Sequence, residues 1–252
     1  MRDHTVSIDQ SVSPARISYA PVFNVAVPFI DRHLDEGRAD RLAIRADAGD
    51  VTYRALAETV NRCGNTFHAL GLEPGDRVLM VVKDGAEFFY AFWGAIKAGF
   101  VPAPLNTLLR AHDYAYMIES SGAAAVVYSP EFAAEVEPAL QQAKHKPAHV
   151  LLVGSDGDSL VRRIADASSE LAPAPATADA DCFWLFSSGS TGLPKSAVHA
   201  HRAMVATSQH HGADLLRVNE RHACLSAAKL HFAYGRAHSV TFAHRAGCPA
   251  GL

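Results

Sequence analysis

The chain has 252 residues, 49% hydrophobic and 19% charged, enough to bury one large core or two modest ones. Its 23 Lys and Arg against 26 Asp and Glu leave a formal net charge of −3 with the signs interspersed, which offers no surface for nucleic acid. The first twenty residues lack an apolar signal core and no apolar run is long enough to span a bilayer, so neither a leader nor membrane insertion is expected.

In chain order, residues 1–20 read as a flexible N-terminus. Phe23, Val27, Ile30 and Leu34 recur at helical spacing, with Gly37 as a stop. Leu42-Ala43-Ile44 and Val51-Thr52-Tyr53 are β-like runs split by the turn residues Asp47-Ala48-Gly49-Asp50, which predicts a hairpin. Leu56, Val60, Cys63, Phe67 and Leu70 form a helical stripe closed by Gly71. From Asp76 onward, strands and helices alternate. Arg77 to Val82 is a continuous apolar strand; Asp84 with Glu87 has the pattern of a capping box, opening a helix that Phe88, Phe89, Phe92, Trp93 and Ile96 pack inward. Further strands are predicted at 100–103, 124–128 and 150–153, and helices at 114–118, 131–143 and 160–165, before an Ala/Pro-rich surface loop at 173–177. This alternation calls for parallel pairing with crossovers. The expected fold is α/β, with mostly parallel sheets layered between flanking helices, and residues 21–252 forming one domain of two subdomains.

Cys182-Phe183-Trp184-Leu185-Phe186 reads as a short buried strand, and it feeds Ser187-Ser188-Gly189-Ser190-Thr191-Gly192-Leu193-Pro194-Lys195. Glycine lets backbone N–H groups converge on one point, the hydroxyls add donors, and Lys195 brings a mobile positive charge, a combination suited to a polyphosphate. An ordinary polar turn draws on the same residue types. A Walker loop is excluded by Pro194, which stands where glycine is needed, removes an N–H and holds Leu193 extended; Ser196-Ala197-Val198 then reads as a second extended segment.

Farther on, Phe232 and Tyr234 flank small Ala233 and Gly235, a pattern that makes a flat slot for an aromatic ring or, equally in residue type, a strand of core aromatics. His199, His201, His210, His211, His222, His231, His238 and His244 crowd the same region, but their spacings match no zinc arrangement, so no metal site is assigned. Cys63, Cys182, Cys224 and Cys248 lie far apart without a Cys-x-x-Cys pair, which signals neither a disulfide framework nor a zinc ribbon and makes a reducing cytoplasm the expected compartment.

Ser187 to Lys195, with flanking Phe183-Trp184-Leu185-Phe186 and Val198-His199-Ala200-His201, resembles the signature loop of the adenylate-forming superfamily, which includes acyl-CoA synthetases, aryl-CoA ligases, luciferases and peptide-synthetase adenylation domains. Within that superfamily the likeness is nearest to benzoate-CoA ligases. Ser196 departs from it, since the family usually has glycine there. Ala95 to Pro102 is similar to an upstream Lys-Ala-Gly segment of the family, although helix termination at Gly99 and chain extension at Pro102 explain those residues.

The resemblance implies that Ser187, Ser188, Gly189, Ser190, Thr191, Gly192 and Lys195 hold the ATP phosphates and that Phe232, Ala233, Tyr234 and Gly235 line an acid pocket. ATP, Mg²⁺ and coenzyme A would then serve conversion of a benzoate-like acid through acyl-AMP to acyl-CoA. The implied partners are a small carboxylic acid and a nucleotide. Ala233 stands where amino-acid-activating relatives place an aspartate. A substrate ammonium would have no anion to meet, which favours an aryl carboxylate first and a fatty acid second.

Members of that family run to about twice this length, so the resemblance implies an incomplete N-terminal adenylation domain. The small C-terminal domain and its catalytic lysine would be absent, and no catalytic residue is assigned here. Ala243-His244-Arg245-Ala246-Gly247-Cys248-Pro249 puts charge where the family buries an apolar segment; GC-rich codons read one nucleotide later give Pro-Ile-Ala-Leu-Gly-Ala-Pro, and a frameshift after about residue 242 is therefore expected. The competing expectation to a ligase is a non-catalytic fragment that binds nucleotide weakly or does not fold.

Overall fold

A computed structural model describes residues 1–154, 157–188 and 192–252. The strand Arg77–Val81 lies between Val101–Pro104 and Ala125–Tyr128, with His149–Leu152 beyond the latter, and all four are parallel. The first three of these strands are buried over nearly their whole length, as a sheet covered by helices on both faces requires. The crossovers are the helices Ala86–Lys97, Ala111–Ser121 and Ala133–Gln142. A second sheet orders Cys224–Leu225, Ala250–Gly251, Leu42–Arg45 and Val51–Thr52, parallel except for the last pair. The end of the chain thus supplies an inner strand beside one near its beginning, and Ala243, His244, Cys248 and Ala250 are fully buried.

The helix Tyr53–Ala69 meets Ala86–Lys97 where both carry a glycine. A methyl group at Gly94 would lie 2.8 Å from Cys63 Cβ and 3.0 Å from the Val60 carbonyl oxygen, and one at Gly64 would lie 3.0 Å from the Gly94 oxygen. From Phe88 to Lys97 every residue except Tyr90 is buried. Lys97 ends the helix with its Nζ 2.7 Å from Asp31, and the Asn24 side-chain amide donates to the Ile96 and Lys97 carbonyls at 3.0 and 3.2 Å. Gly99 follows with φ +89°. The Lys-Ala-Gly segment is thus a satisfied helix end.

Two sequence expectations change. Residues 1–20, expected to be a flexible N-terminus, contain a strand pair: Val6–Asp9 pairs antiparallel with Arg16–Tyr19, and Val6, Ile17 and Tyr19 pack on the core. The capping box at Asp84 and Glu87 does not form. Gly85 is the N-cap, because the Asp84 carboxylate instead accepts the Leu230 N–H at 3.1 Å and lies 3.5 Å from Lys229 Nζ. The four cysteines are free thiols, and Cys224 and Cys248 come within 3.7 Å, sulfur to sulfur. Among the described residues no helix is long and apolar enough to cross a membrane, and no group of three His, Cys, Asp or Glu could hold a metal ion.

Several histidines are core residues held neutral. The His33 Nδ1 accepts from Arg38 Nε at 2.9 Å and its Nε2 donates to the His244 carbonyl at 2.6 Å; the His244 Nδ1 accepts from the Trp93 indole at 3.0 Å, and His201 Nδ1 from the Val25 N–H at 3.1 Å. Burial pulls His33 and His244 down to about 3 and His201 to about 4, with the Arg32 and Arg38 charges adding to the effect at His33.

The ordinary histidine value is 6.5, so the fold favours the neutral rings; their contribution is complete above pH 6.5 and is lost as pH falls towards 3. Unfolding free energies from denaturant titration should decline as pH falls from 6.5 to 4, with a slope approaching about 1.4 kcal/mol per pH unit for each buried ring. A flat profile over that range would contradict the buried neutral assignment. Gly94→Val should cost about 1–3 kcal/mol in the same assay, through overpacking of the helix contact.

Candidate active site

Asp181–Ser188 pairs antiparallel with Pro194–Ala200, so the glycine and hydroxyl segment connects the two strands of a β-hairpin. Alternation along the first strand gives it two anchored faces: Trp184 and Phe186 pack on the cluster containing Leu79, Val81 and Val126, while Phe183 and Leu185 face the larger core with Phe92. The base is therefore fixed on both sides. Towards the turn the pair opens to solvent. Ser187 and Lys195 are exposed and directly opposite one another in register, and Gly192, at φ +91°, is exposed as well. Ser188 lies opposite Pro194. Gly189, Ser190 and Thr191 lie outside the described residues.

At the base, Phe183 is paired with His199, and their rings stack with centroids 4.6 Å apart and planes 4° apart. The chain then enters the helix His201–Thr207, which turns back alongside the hairpin. Between them lies a cavity of about 120 Å³, bounded on the hairpin side by Phe183, Leu185 and His199, on the helix side by Met204 and Thr207, and closed by Ala233 and Arg236. A larger hollow of about 640 Å³, lined by residues including Thr66, Asp158 and Arg162, has no hairpin residue in its wall. Size alone does not pick the site.

The segment expected to form the aromatic slot is the short helix Ala233–Arg236. Ala233 lines the cavity, whereas Phe232 and Tyr234 are 49% and 65% exposed and stand outside its wall. Gly235 is buried, and a Cβ there would collide with the Ala228 and Lys229 carbonyl oxygens, so glycine is required by close packing. The Asp84 contacts with Leu230 and Lys229 clamp the approach to this helix.

Sequence reasoning did not single out Arg236. Its guanidinium lies 4.7 Å from the Phe183 ring centre and 5.9 Å from that of Phe92, and burial pulls it down to about 10, still cationic at neutral pH. Met204 and Thr207 were missed as well. No local pattern marks them, since their role follows from the helix turning back on the hairpin.

The profile of the AMP-binding enzyme family matches residues 31–252. Benzoate–CoA ligase of Thauera aromatica is 40% identical over 251 residues, covering 99% of this chain and 48% of that protein. A crystal structure of a benzoate CoA ligase from Burkholderia xenovorans LB400 superposes with a TM-score of 0.84 at 33% identity, over 91% of this chain and 45% of that one. The anthranilate CoA ligase AuaEII, crystallised with anthranoyl-AMP, gives a TM-score of 0.88 at 26% identity, over 92% and 45%. The chain thus spans about half the length of these relatives. With all but its first thirty residues inside the profile match, and with the hairpin and its α/β support in place, the chain belongs to the AMP-binding, adenylate-forming enzyme family.

Proposed function

We propose that the intact protein activates an aromatic carboxylic acid with ATP and transfers the acyl group to coenzyme A. The observation that carries this reading is continuity: a single hairpin bears the hydroxyl and glycine segment with Lys195 at one end and walls a small, largely apolar cavity at the other. A carboxylate oxygen attacks the α-phosphorus, the bond to the bridging oxygen of the β-phosphate breaks, and pyrophosphate leaves with the electron pair. Charge grows on the leaving phosphates, so the effective groups are fixed donors and cations beside them. Ser187 and Lys195, which face each other across the strand pair, would serve that task together with Ser188, Gly189, Ser190, Thr191 and Gly192. In the second step the coenzyme A sulfur attacks the acyl carbon, AMP departs and the thiol proton passes to solvent.

Phe183, Leu185, Met204 and Ala233 would seat the acid and exclude water. The cavity's volume of about 120 Å³ is of the order of the roughly 150 Å³ that holds benzene, which favours a single ring over a long acyl chain. The described residues offer no cage for Mg²⁺, which would travel on the nucleotide phosphates, and no step above relies on it. A second reading, in which this polypeptide alone binds nucleotide and acid without turnover, is favoured by its span of 48% of the T. aromatica ligase.

Lys195→Ala should weaken ATP binding roughly tenfold in calorimetric titration, through loss of one charge-assisted contact. Unchanged affinity would remove the phosphate role of the hairpin. Pyrophosphate exchange with ATP and benzoate separates the two readings: the 252-residue polypeptide is expected to bind ATP yet give no exchange, whereas measurable exchange would show that it completes the first half-reaction.

A further inference from the structure

Arg236 has no part in the chemistry above, yet it lines the same cavity. The residue is 4% exposed, and its Nη1 is buried with no hydrogen-bond partner. No ion pair among the described residues includes it. The neighbouring Cys182 thiol, fully buried and pushed up well above its ordinary value by desolvation, supplies no counter-charge. Phe183 and Phe92 offset part of the burial cost through their ring faces. Those faces do not satisfy in-plane N–H donors, and an orphaned buried cation in a cavity wall points to a missing acceptor.

The chemistry of that acceptor follows from the fork. A guanidinium matches a carboxylate through two parallel N–H···O bonds, and Thr207 and Thr241 line the same wall. The remaining lining, chiefly Phe183, Leu185, Met204 and the alanines, suits a ring. The carboxylate on Arg236 is not the one that attacks the nucleotide. Arg236 sits over Phe183, and roughly 16 Å of extended chain, at about 3.3 Å per residue, separates Phe183 from Ser188, where the phosphate segment begins. The reacting end must face the hairpin turn, with the triphosphate reaching back from the turn to meet it, so the anion at the base is a second group on the same acid.

We propose that Arg236 determines specificity by receiving the second carboxylate of an aromatic dicarboxylate, an inference that rests on reading this cavity as the acid pocket.

The test is calorimetric titration of the 252-residue protein with benzoate and with benzene-1,2-, 1,3- and 1,4-dicarboxylate, repeated on Arg236→Met. At least one dicarboxylate should bind the wild-type protein about tenfold or more tightly than benzoate. In R236M that preference should vanish. Methionine removes an unpartnered buried charge, so the variant should fold, which circular dichroism and thermal melting check. Arg236→Lys, which keeps the charge but loses the fork, should retain part of the preference. Equal wild-type affinity for benzoate and every dicarboxylate, or a preference that survives in R236M, overturns the role of Arg236 and leaves the acid pocket standing. Failure of all four acids to bind the wild-type protein overturns the pocket reading, and this inference with it.

Discussion

The architecture depends on the near-complete burial of one helix, Ala86–Lys97. A helix that is apolar almost all round has to be covered on every side, and each side is met by a different part of the chain. Gly94 admits the helix Tyr53–Ala69; Trp93 donates to His244 from the last ten residues; Lys97 takes Asp31; and Phe92 meets Phe183 with ring centres 5.7 Å apart. The last contact couples fold to chemistry. Phe183 belongs to the hairpin that carries the glycine and hydroxyl segment, so the packing of the core also sets where the hairpin emerges.

The hairpin divides its labour along its length. Its base is gripped by two clusters because successive side chains point to opposite faces, and its other end carries the polar groups into solvent. The cavity sits at the gripped end. In the proposed function the aromatic wall there would position an acid, while exposed Ser187 and Lys195 would meet a nucleotide. Gly235 serves the same arrangement from the far wall, letting the backbone lie against the Ala228 and Lys229 carbonyls so that Ala233 and Arg236 close the pocket.

Local pattern made much of this legible. The stripe of Leu56, Val60, Cys63 and Phe67, the apolar run from Arg77, and the glycines ending their helices are statements about neighbours in sequence, and those elements formed where the periodicity put them. The hairpin was readable for the same reason, since glycine permits a tight reversal and Pro194 restricts its own backbone. Contacts between distant segments were not readable. Asp84 has the spacing of a cap, but its carboxylate is drawn to Leu230 by a fold that no local window contains. Arg236 carried no signal, because a charged residue after Gly235 is unremarkable until the chain buries it against Phe183. Phe232 and Tyr234 show the converse: aromatic character suggested a slot, and the helix they adjoin turned both towards solvent.

The strand order of the smaller sheet bears on how the polypeptide is born. Strands of the four-stranded parallel sheet all lie within residues 77–152 and can pair as soon as that stretch leaves the ribosome. Leu42–Arg45, by contrast, waits for Ala250–Gly251. At about 5–20 residues per second the interval is roughly 10–40 s, during which a β-edge stays unpaired. A nascent chain of this topology therefore presents a chaperone with a defined, timed target at its N-terminal end.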